Sequence, residues 1–357
     1  MKRLDKIPFF FIVGRPRSGT TLLRSLFDAH PNVQIPIECK FILDLYPKYG
    51  RKKHWGHKDI LEFYDDLLKQ LRFDTWTISH EKLRRDLLKC AGDSPYSRIC
   101  KVVYYNYQSF FPKDKMLMFG DKNPGYTIYT RRLHEVFPGS KFIHIVRDYR
   151  DNYVSVKDVD FELPIPSMVA YKWRLFYRSF ERFRKEYPDL CRVIRYEDLT
   201  ADPERETMEL CRFLGIDYYP EVLNYYKKKD EILKVYPKEF ITRYHANLGN
   251  QVNQSRVEIW KNKLTRMEIV LADIGAGKTS ETAGYQRQYR GANPLFHLMA
   301  SPGILIAITL AFLTRIVDTF PYKARMAILN RGPLVVTKTF LRIFNPKKYR
   351  EIRDRMK

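Results

Sequence analysis

Four short apolar runs punctuate the chain, each bounded by polar or turn-forming residues: Phe9–Val13, "MLMFGDK" ending at Lys122, "KFIHIVR" ending at Arg147, and "CRVIRYEDL" from Cys191. Runs of this length and composition predict buried strands. Each is followed within a few residues by a segment with helical periodicity, the rhythm of a parallel sheet with crossover helices. The predicted fold class is α/β with a central parallel sheet.

The first predicted helix enters at Ser18 to Thr21, continues through Leu22, Leu23, Leu26 and Phe27, and is stopped by Pro31. A longer helix is predicted over Ser167–Tyr187, where Val169, Trp173, Phe176, Phe180 and Phe183 alternate spacings of four and three. That stripe reads as core, and Trp173 is given no chemistry. "TADPERETMELCRFLGI" predicts a third helix, with Pro203 near its first turn and Gly215 near its end.

The pattern changes near residue 289, which divides a main domain, 1–288, from a mainly helical C-terminal extension, 289–357. No charged residue occurs from Gly291 through Thr314, yet only Ile304–Leu313 is densely apolar, and Pro302 and Gly303 stand at its start. A membrane span needs about 20 predominantly apolar residues, so this one is marginal. From Arg315 to Lys357 there are twelve Lys/Arg against three Asp/Glu, with Phe340, Leu341, Ile343 and Phe344 among them. Two readings stay open: a segment lying in a membrane interface, or an ordinary helix packed on the main domain. A true span ranks third.

Composition narrows the function classes. At 357 residues, 45% hydrophobic and 15% aromatic, the chain can bury a large core, which excludes general disorder. The net charge of +23 favours anionic partners, or is simply a solvated basic face. Five dispersed cysteines, Cys39, Cys90, Cys100, Cys191 and Cys211, argue for free thiols in a reducing compartment. His54 and His57 in "HWGH" have no matching Cys or His cluster, so a surface loop is expected and no metal site. The N-terminus lacks the pattern of a signal peptide and is read as the first strand, with no amino-terminal anchor.

The candidate chemistry begins in "VGRPRSGTT". Gly14 and Gly19 allow a tight turn between strand and helix, so backbone N–H groups and the helix dipole can hold an anion. Ser18, Thr20 and Thr21 add hydroxyls, and Arg15 and Arg17 add charge. Thr20 stands where a nucleotide triphosphatase has its lysine, so the metal-holding Lys-Ser/Thr pair is missing. A sulfuryl group carries less negative charge than a phosphoryl group, and arginine, lysine and hydroxyl donors can stabilise its transfer without a metal. "ADIGAGKTS", Ala272 to Ser280, is a decoy: alanine replaces the first P-loop glycine, and a predicted helix precedes it.

"GRPRSGTTLLRSLFDAHPNVQIPIE" resembles the 5′-phosphosulfate motif of sulfotransferases that use 3′-phosphoadenosine 5′-phosphosulfate (PAPS), in the PRSGTT-type tyrosylprotein and bacterial branches. "VRDYRDNYVSVKD", with Ser155 eight residues after Arg147, resembles the family's 3′-phosphate motif. "RYEDLTADPERETMELCRFLGI" resembles its Tyr-Glu-Asp-Leu segment. The likeness covers about Ile7 to Tyr285. It implies a P-loop-like three-layer fold around the parallel sheet, a PAPS donor and adenosine 3′,5′-bisphosphate as product. It also implies that Arg17, Ser18, Gly19, Thr20 and Thr21 surround the 5′-phosphosulfate, that Arg147 and Ser155 hold the 3′-phosphate, and that Tyr196 lies near the adenine, unless it is a packed strand aromatic. "NQSRVEIWKNKL" resembles the segment that closes over the 3′-phosphate through Ser255 and Arg256. Glu38 stands where the tyrosylprotein branch has its catalytic glutamate, and a carboxylate is the expected base for a hydroxyl or amine acceptor. Lys122 in "GDKNP" resembles the family's active-site lysine, with a plain turn lysine as the alternative.

The resulting expectation is a sulfotransferase with Glu38, Arg17 and Lys122 as catalytic residues. Its acceptor is open among glycan, lipid-linked, small-molecule and tyrosyl hydroxyls or amines. The rivals are a P-loop small-metabolite kinase and a non-catalytic protein that binds membranes or polyanions. Nucleic acid is not an expected partner, because no recognised module accompanies the charge. A cytoplasmic protein is expected, peripheral on the inner membrane face through the extension.

Overall fold

In the computed structural model, which describes residues 2–159, 161–228, 250–344, 346 and 349–350, the first apolar run is buried at every position. Seven strands form among these residues: β1 (Phe9–Gly14), β2 (Val33–Gln34), β3 (His54–Trp55), β4 (Gly92–Asp93), β5 (Met118–Lys122), β6 (Lys141–Val146) and β7 (Cys191–Arg195). Five of them make one sheet in the order β2-β5-β1-β6-β7, with every pairing parallel. The register sets Ile12 of β1 opposite Lys122 on one side and Ile143 on the other. Phe11 stacks on Phe142 at 5.1 Å, and Phe9 on Phe137 at 4.5 Å, so the sheet is cemented by aromatics. Burying each such ring contributes about 1.5–3 kcal/mol.

The four expected strands are β1, β5, β6 and β7. Edge strand β2 escapes the pattern because it is two residues long and lies between prolines at 31 and 36. "CRVIRYEDL" is strand only as far as Arg195. Tyr196 opens a short helix, so it is not a strand aromatic.

The chain divides into two compact units, Met1–Val146 with Ser179–Gln254, and Arg147–Arg178 with Ser255–Lys357. In the first, the sheet carries α1 (Thr20–Ala29), which ends at His30 just before Pro31. The stretch between β2 and β5 folds as α2 (His57–Leu68), α3 (His80–Leu88) and α4 (Tyr96–Asn106), with β3 and β4 pairing antiparallel across α2 and α3. Trp55, Tyr49, Phe63 and Tyr96 form its aromatic core. "HWGH" is therefore a strand and a helix start rather than a loop. Both histidines are exposed, and His54 Nδ1 lies 2.8 Å from Asp93 Oδ1. All five cysteines belong to this unit, and each is free and buried.

The second unit begins with α5 (Tyr149–Val156) and the first half of α6 (Pro166–Glu186), which continues into the first unit. Tyr177, not Phe176, joins Val169 and Trp173 on the buried face, because residue 177 completes the four-residue step from 173. Beyond α6 lie α7 (Tyr196–Ala201) and α8 (Pro203–Leu214) of the first unit, the latter closed by Gly215 at φ 78°. The second unit then adds α9 (Arg266–Ala276), α10 (Pro294–Val317) and α11 (Tyr322–Phe344). The decoy glycines sit at the end of α9 and in the break after it, with no strand before them.

Helix α10 differs from its expected start at Pro302. It is one helix of 24 residues running straight through that proline. Proline supplies no N–H to the carbonyl four residues back. Here Ser301 Oγ donates to that carbonyl, Leu298 O, at 2.8 Å. The next residue, Gly303, meets the start of α6 so closely that an added Cβ would lie 2.3 Å from Ser167 Oγ.

Candidate functional site

The loop after β1 is shaped by two left-handed residues. Arg17 adopts φ 70° and Gly19 φ 94°, on either side of the buried Ser18. Alternating backbone hands of this kind turn successive N–H groups inward as an anion-binding concavity. Ser18 N donates to Arg15 O at 3.2 Å, closing the turn. Helix α1 follows with no side-chain cap and no acidic residue in its first turn, so its N-terminal N–H groups and dipole favour an anion. Arg15 and Thr20 are buried beside the loop, and Thr21 and Arg17 are half-buried. The loop is anchored from β1's end: Gly14 N donates to Thr127 Oγ1 at 2.8 Å. Gly19 must be glycine here, since a Cβ would meet the Tyr196 ring at 2.5 Å. Tyr196 is therefore packed on the loop after β1 itself.

Lys122 closes β5, beside the end of β1, and Asn123 N donates to Ile12 O at 3.3 Å. The Lys122 ammonium donates to Glu38 Oε2 at 2.8 Å. Arg72 approaches Glu38 Oε1 at 3.4 Å. The backbone on both sides of Glu38 is pinned: Trp76 Nε1 donates to Ile37 O at 2.8 Å, and Asn123 Nδ2 to Cys39 O at 3.1 Å. Burial alone pushes the Glu38 carboxyl up, but Lys122, Arg72 and Lys40 outweigh it and hold it at about 2. Burial pulls the Lys122 ammonium down, partly offset by Glu38. Beneath this pair Asp121 accepts from the Tyr104 hydroxyl and, at 2.7 Å, from Asn123 Nδ2, and burial pushes its carboxyl up to about 7.

The second unit carries the other expected residues. Trp173 Nε1 donates to Arg147 O at 2.9 Å, which gives that aromatic a positioning task beyond core packing. Arg147 Nη2 donates to Arg256 O at 2.6 Å, so Arg147 and the 255–260 turn are joined. Asp151 accepts from the N–H groups of Glu258 and Trp260 at 2.8 and 2.9 Å. Glu258 itself is left-handed at φ 56°. The Arg150 guanidinium lies 3.8 Å over the Trp260 ring and is held by Asp148 at 2.6 Å. Ser155 is buried near the end of α5, about two turns from its start. Ser255 and Arg256 are exposed.

Thus Arg15, Arg17, Ser18, Gly19, Thr20, Thr21, Glu38, Lys122 and Tyr196 fall in the first unit, and Arg147, Ser155, Ser255 and Arg256 in the second. Sequence reasoning missed Arg72, Asp121, Asn123 and Asp151. Asn123 and Asp121 flank Lys122 in "GDKNP", and Asp151 lies four residues after Arg147, so adjacency to a motif was their only signal. Arg72 had none.

A profile of the sulfotransferase family matches residues 8–221. Protein-tyrosine sulfotransferase 1 of Danio rerio is 27% identical over 224 residues, which are 61% of this chain and 56% of that one. The protein-tyrosine sulfotransferase of Drosophila melanogaster is 26% identical, over 62% of this chain and 40% of its own length. The chain thus spans about half the length of these two relatives. An omega-hydroxy-beta-dihydromenaquinone-9 sulfotransferase of Mycobacterium bovis is 32% identical over 269 residues, covering 61% of this chain and 66% of that one. Among solved structures, the sulfotransferase domain of the Synechococcus PCC 7002 olefin synthase superposes with a TM-score of 0.55 at 22% identity, over 78% of this chain and 95% of that domain. That likeness supports the fold: a parallel sheet whose first βα turn forms a phosphate-type loop. With the family profile matching well over half of its length, the chain belongs to the sulfotransferase family.

Proposed function

We propose that the protein transfers a sulfuryl group from PAPS to a hydroxyl acceptor, with Glu38 as general base. The observation that carries this reading is the Glu38–Lys122 pair at 2.8 Å, held at the strand end beside an uncapped, left-handed phosphate loop. A positioned carboxylate with both flanking carbonyls pinned is more than an anion-binding surface requires. The loop fits a 5′-phosphosulfate because Arg17 and Gly19 turn its backbone N–H groups inward, while Arg15, Arg17, Ser18, Thr20 and Thr21 supply donors.

The donor supplies an activated sulfur whose bond to the bridging oxygen breaks, releasing adenosine 3′,5′-bisphosphate. As the acceptor oxygen bonds to sulfur, its proton passes to a Glu38 carboxylate oxygen. Lys122 and Arg17 neutralise charge growing on the sulfuryl and bridging oxygens. An ammonium drawn toward those oxygens is drawn away from Glu38, which raises the carboxylate's proton affinity when a base is needed. Arg147 and Ser155 take the 3′-phosphate, with Ser255 and Arg256 in the turn that Asp151 fixes, and Tyr196 braces the loop. The named acceptors of the relatives, a protein tyrosine and an omega-hydroxy quinone, are both hydroxyls, which supports an oxygen rather than a nitrogen acceptor.

The test is calorimetric titration with adenosine 3′,5′-bisphosphate, compared with ATP and Mg²⁺. Metal-independent binding of the bisphosphate that Arg147→Ala weakens tenfold or more, about 1.4 kcal/mol, is expected. Binding of Mg²⁺-ATP alone would overturn the reading in favour of a kinase. Glu38→Gln should keep the bisphosphate affinity and lose on the order of a hundredfold or more in turnover. An equally active variant would remove Glu38 from the mechanism.

A further inference from the structure

Helix α10 presents eight large apolar side chains to solvent, four of them along one line. Leu298, Leu305, Phe312 and Ile316 are 69%, 61%, 61% and 37% exposed. At the helical repeat they fall within about 40° of one another and extend over roughly 27 Å. The opposite side is built from small residues, Ala300, Gly303 and Ala307, all buried. Gly303 there is pressed against Ser167 and the backbone of Met168 at the start of α6. The close contact fixes the rotation of the helix and turns the apolar line outward.

The surroundings identify what covers it. No Lys, Arg, Asp or Glu interrupts the chain from Gly291 through Thr314, and an exposed arginine, Arg315, follows at once. Arg342 is exposed in the last turn of α11, and residues 315–357 hold twelve Lys/Arg against three Asp/Glu. A second copy of this chain is a poor occupant, because it carries the same excess of bases, twelve Lys/Arg against three Asp/Glu over 315–357, and the like charges repel. An anionic bilayer offers both an apolar layer and opposite charge.

The length and mean hydropathy of α10, 1.9 over its best window, also meet the minimum for crossing a bilayer. Its first half is nevertheless docked through Gly303 on α6, a helix that carries Lys172 paired with Glu162. A helix clamped to such a neighbour is placed to lie along the interface rather than to pass through the hydrocarbon.

We propose that α10 is a membrane-docking surface, lying in the interface of an anionic phospholipid bilayer with Leu298, Leu305, Phe312 and Ile316 facing the lipid. The experiment is flotation of the full chain with vesicles of phosphatidylglycerol mixed into phosphatidylcholine, and with phosphatidylcholine alone. The parent chain should float with the mixed vesicles, be released by high salt, and bind the neutral ones far more weakly. L305E/F312E should lower the bound fraction about tenfold or more, with an unchanged thermal midpoint showing that the fold survives. Equal flotation of parent and variant would overturn the proposal. So would binding that resists salt and carbonate and yields only to detergent, which marks a span. A vesicle-free mass that falls from dimer to monomer in the variant would overturn it too, by assigning the face to a second copy.

Discussion

Glu38 is ionised because three cations surround it, not because water does. With Glu38 as the proposed base held at about 2, kcat/KM of the parent should show no acid limb near neutrality. In Lys122→Ala the opposing effect of burial gains weight, so an acid limb should move up into the measurable range, alongside the lost rate. A profile that only drops in height would separate Lys122 from Glu38's titration. The same carboxylate adds stability that is fully present above its ordinary value of 4.5 and is lost as pH falls toward about 2. Asp121 has the opposite sign. Its folded value is raised from 3.8 to about 7, so its penalty is absent at low pH and grows as pH rises through that window. Urea midpoints measured across the window should fall more steeply for the parent than for Asp121→Asn, and parallel curves would mean that Asp121 is not the group responsible.

The elements explain which parts of this arrangement could be read in the sequence. Strands β1, β5, β6 and β7 were legible because each is a continuous apolar run, and α1, α6 and α8 because periodicity, proline and glycine mark their ends. The 41–117 region was not, since its short helices and two-residue strands are defined by long-range contacts such as Trp55 Nε1 to Ser94 O at 2.9 Å. Residues at motif positions, from Arg17 to Arg147, could be named because those motifs resemble a known family's. Arg72 could not, because only folding brings it to Glu38. Gly19 shows how tightly the loop depends on its neighbour. Gly19→Ala should lose about 1–3 kcal/mol from its left-handed φ alone, with further loss from the Tyr196 ring 2.5 Å away. Tyr196→Ala in that background should recover only the second part, as read from thermal midpoints with and without the bisphosphate. Gly303→Leu should loosen α10 from α6, raising amide exchange in both helices while leaving the phosphate loop protected. Unchanged exchange would show that the contact can relax.

At the scale of the molecule, a net charge of +23 makes salt a variable of every experiment. Screening weakens attraction to an anionic ligand such as the proposed bisphosphate and also self-repulsion within the fold. Bisphosphate affinity should therefore fall with salt while the thermal midpoint of the ligand-free chain rises, and a common direction for both would point to specific ion binding instead. The buried cysteines have a separate consequence. All five lie in Met1–Val146 and Ser179–Gln254, and none in the other unit. A thiol-alkylating reagent added during denaturation is thus a native reporter of one half of the molecule and blind to the other. Compared with ellipticity, which sees both halves, the labelling curve tells without any engineered probe whether the two units melt as one cooperative body or in sequence.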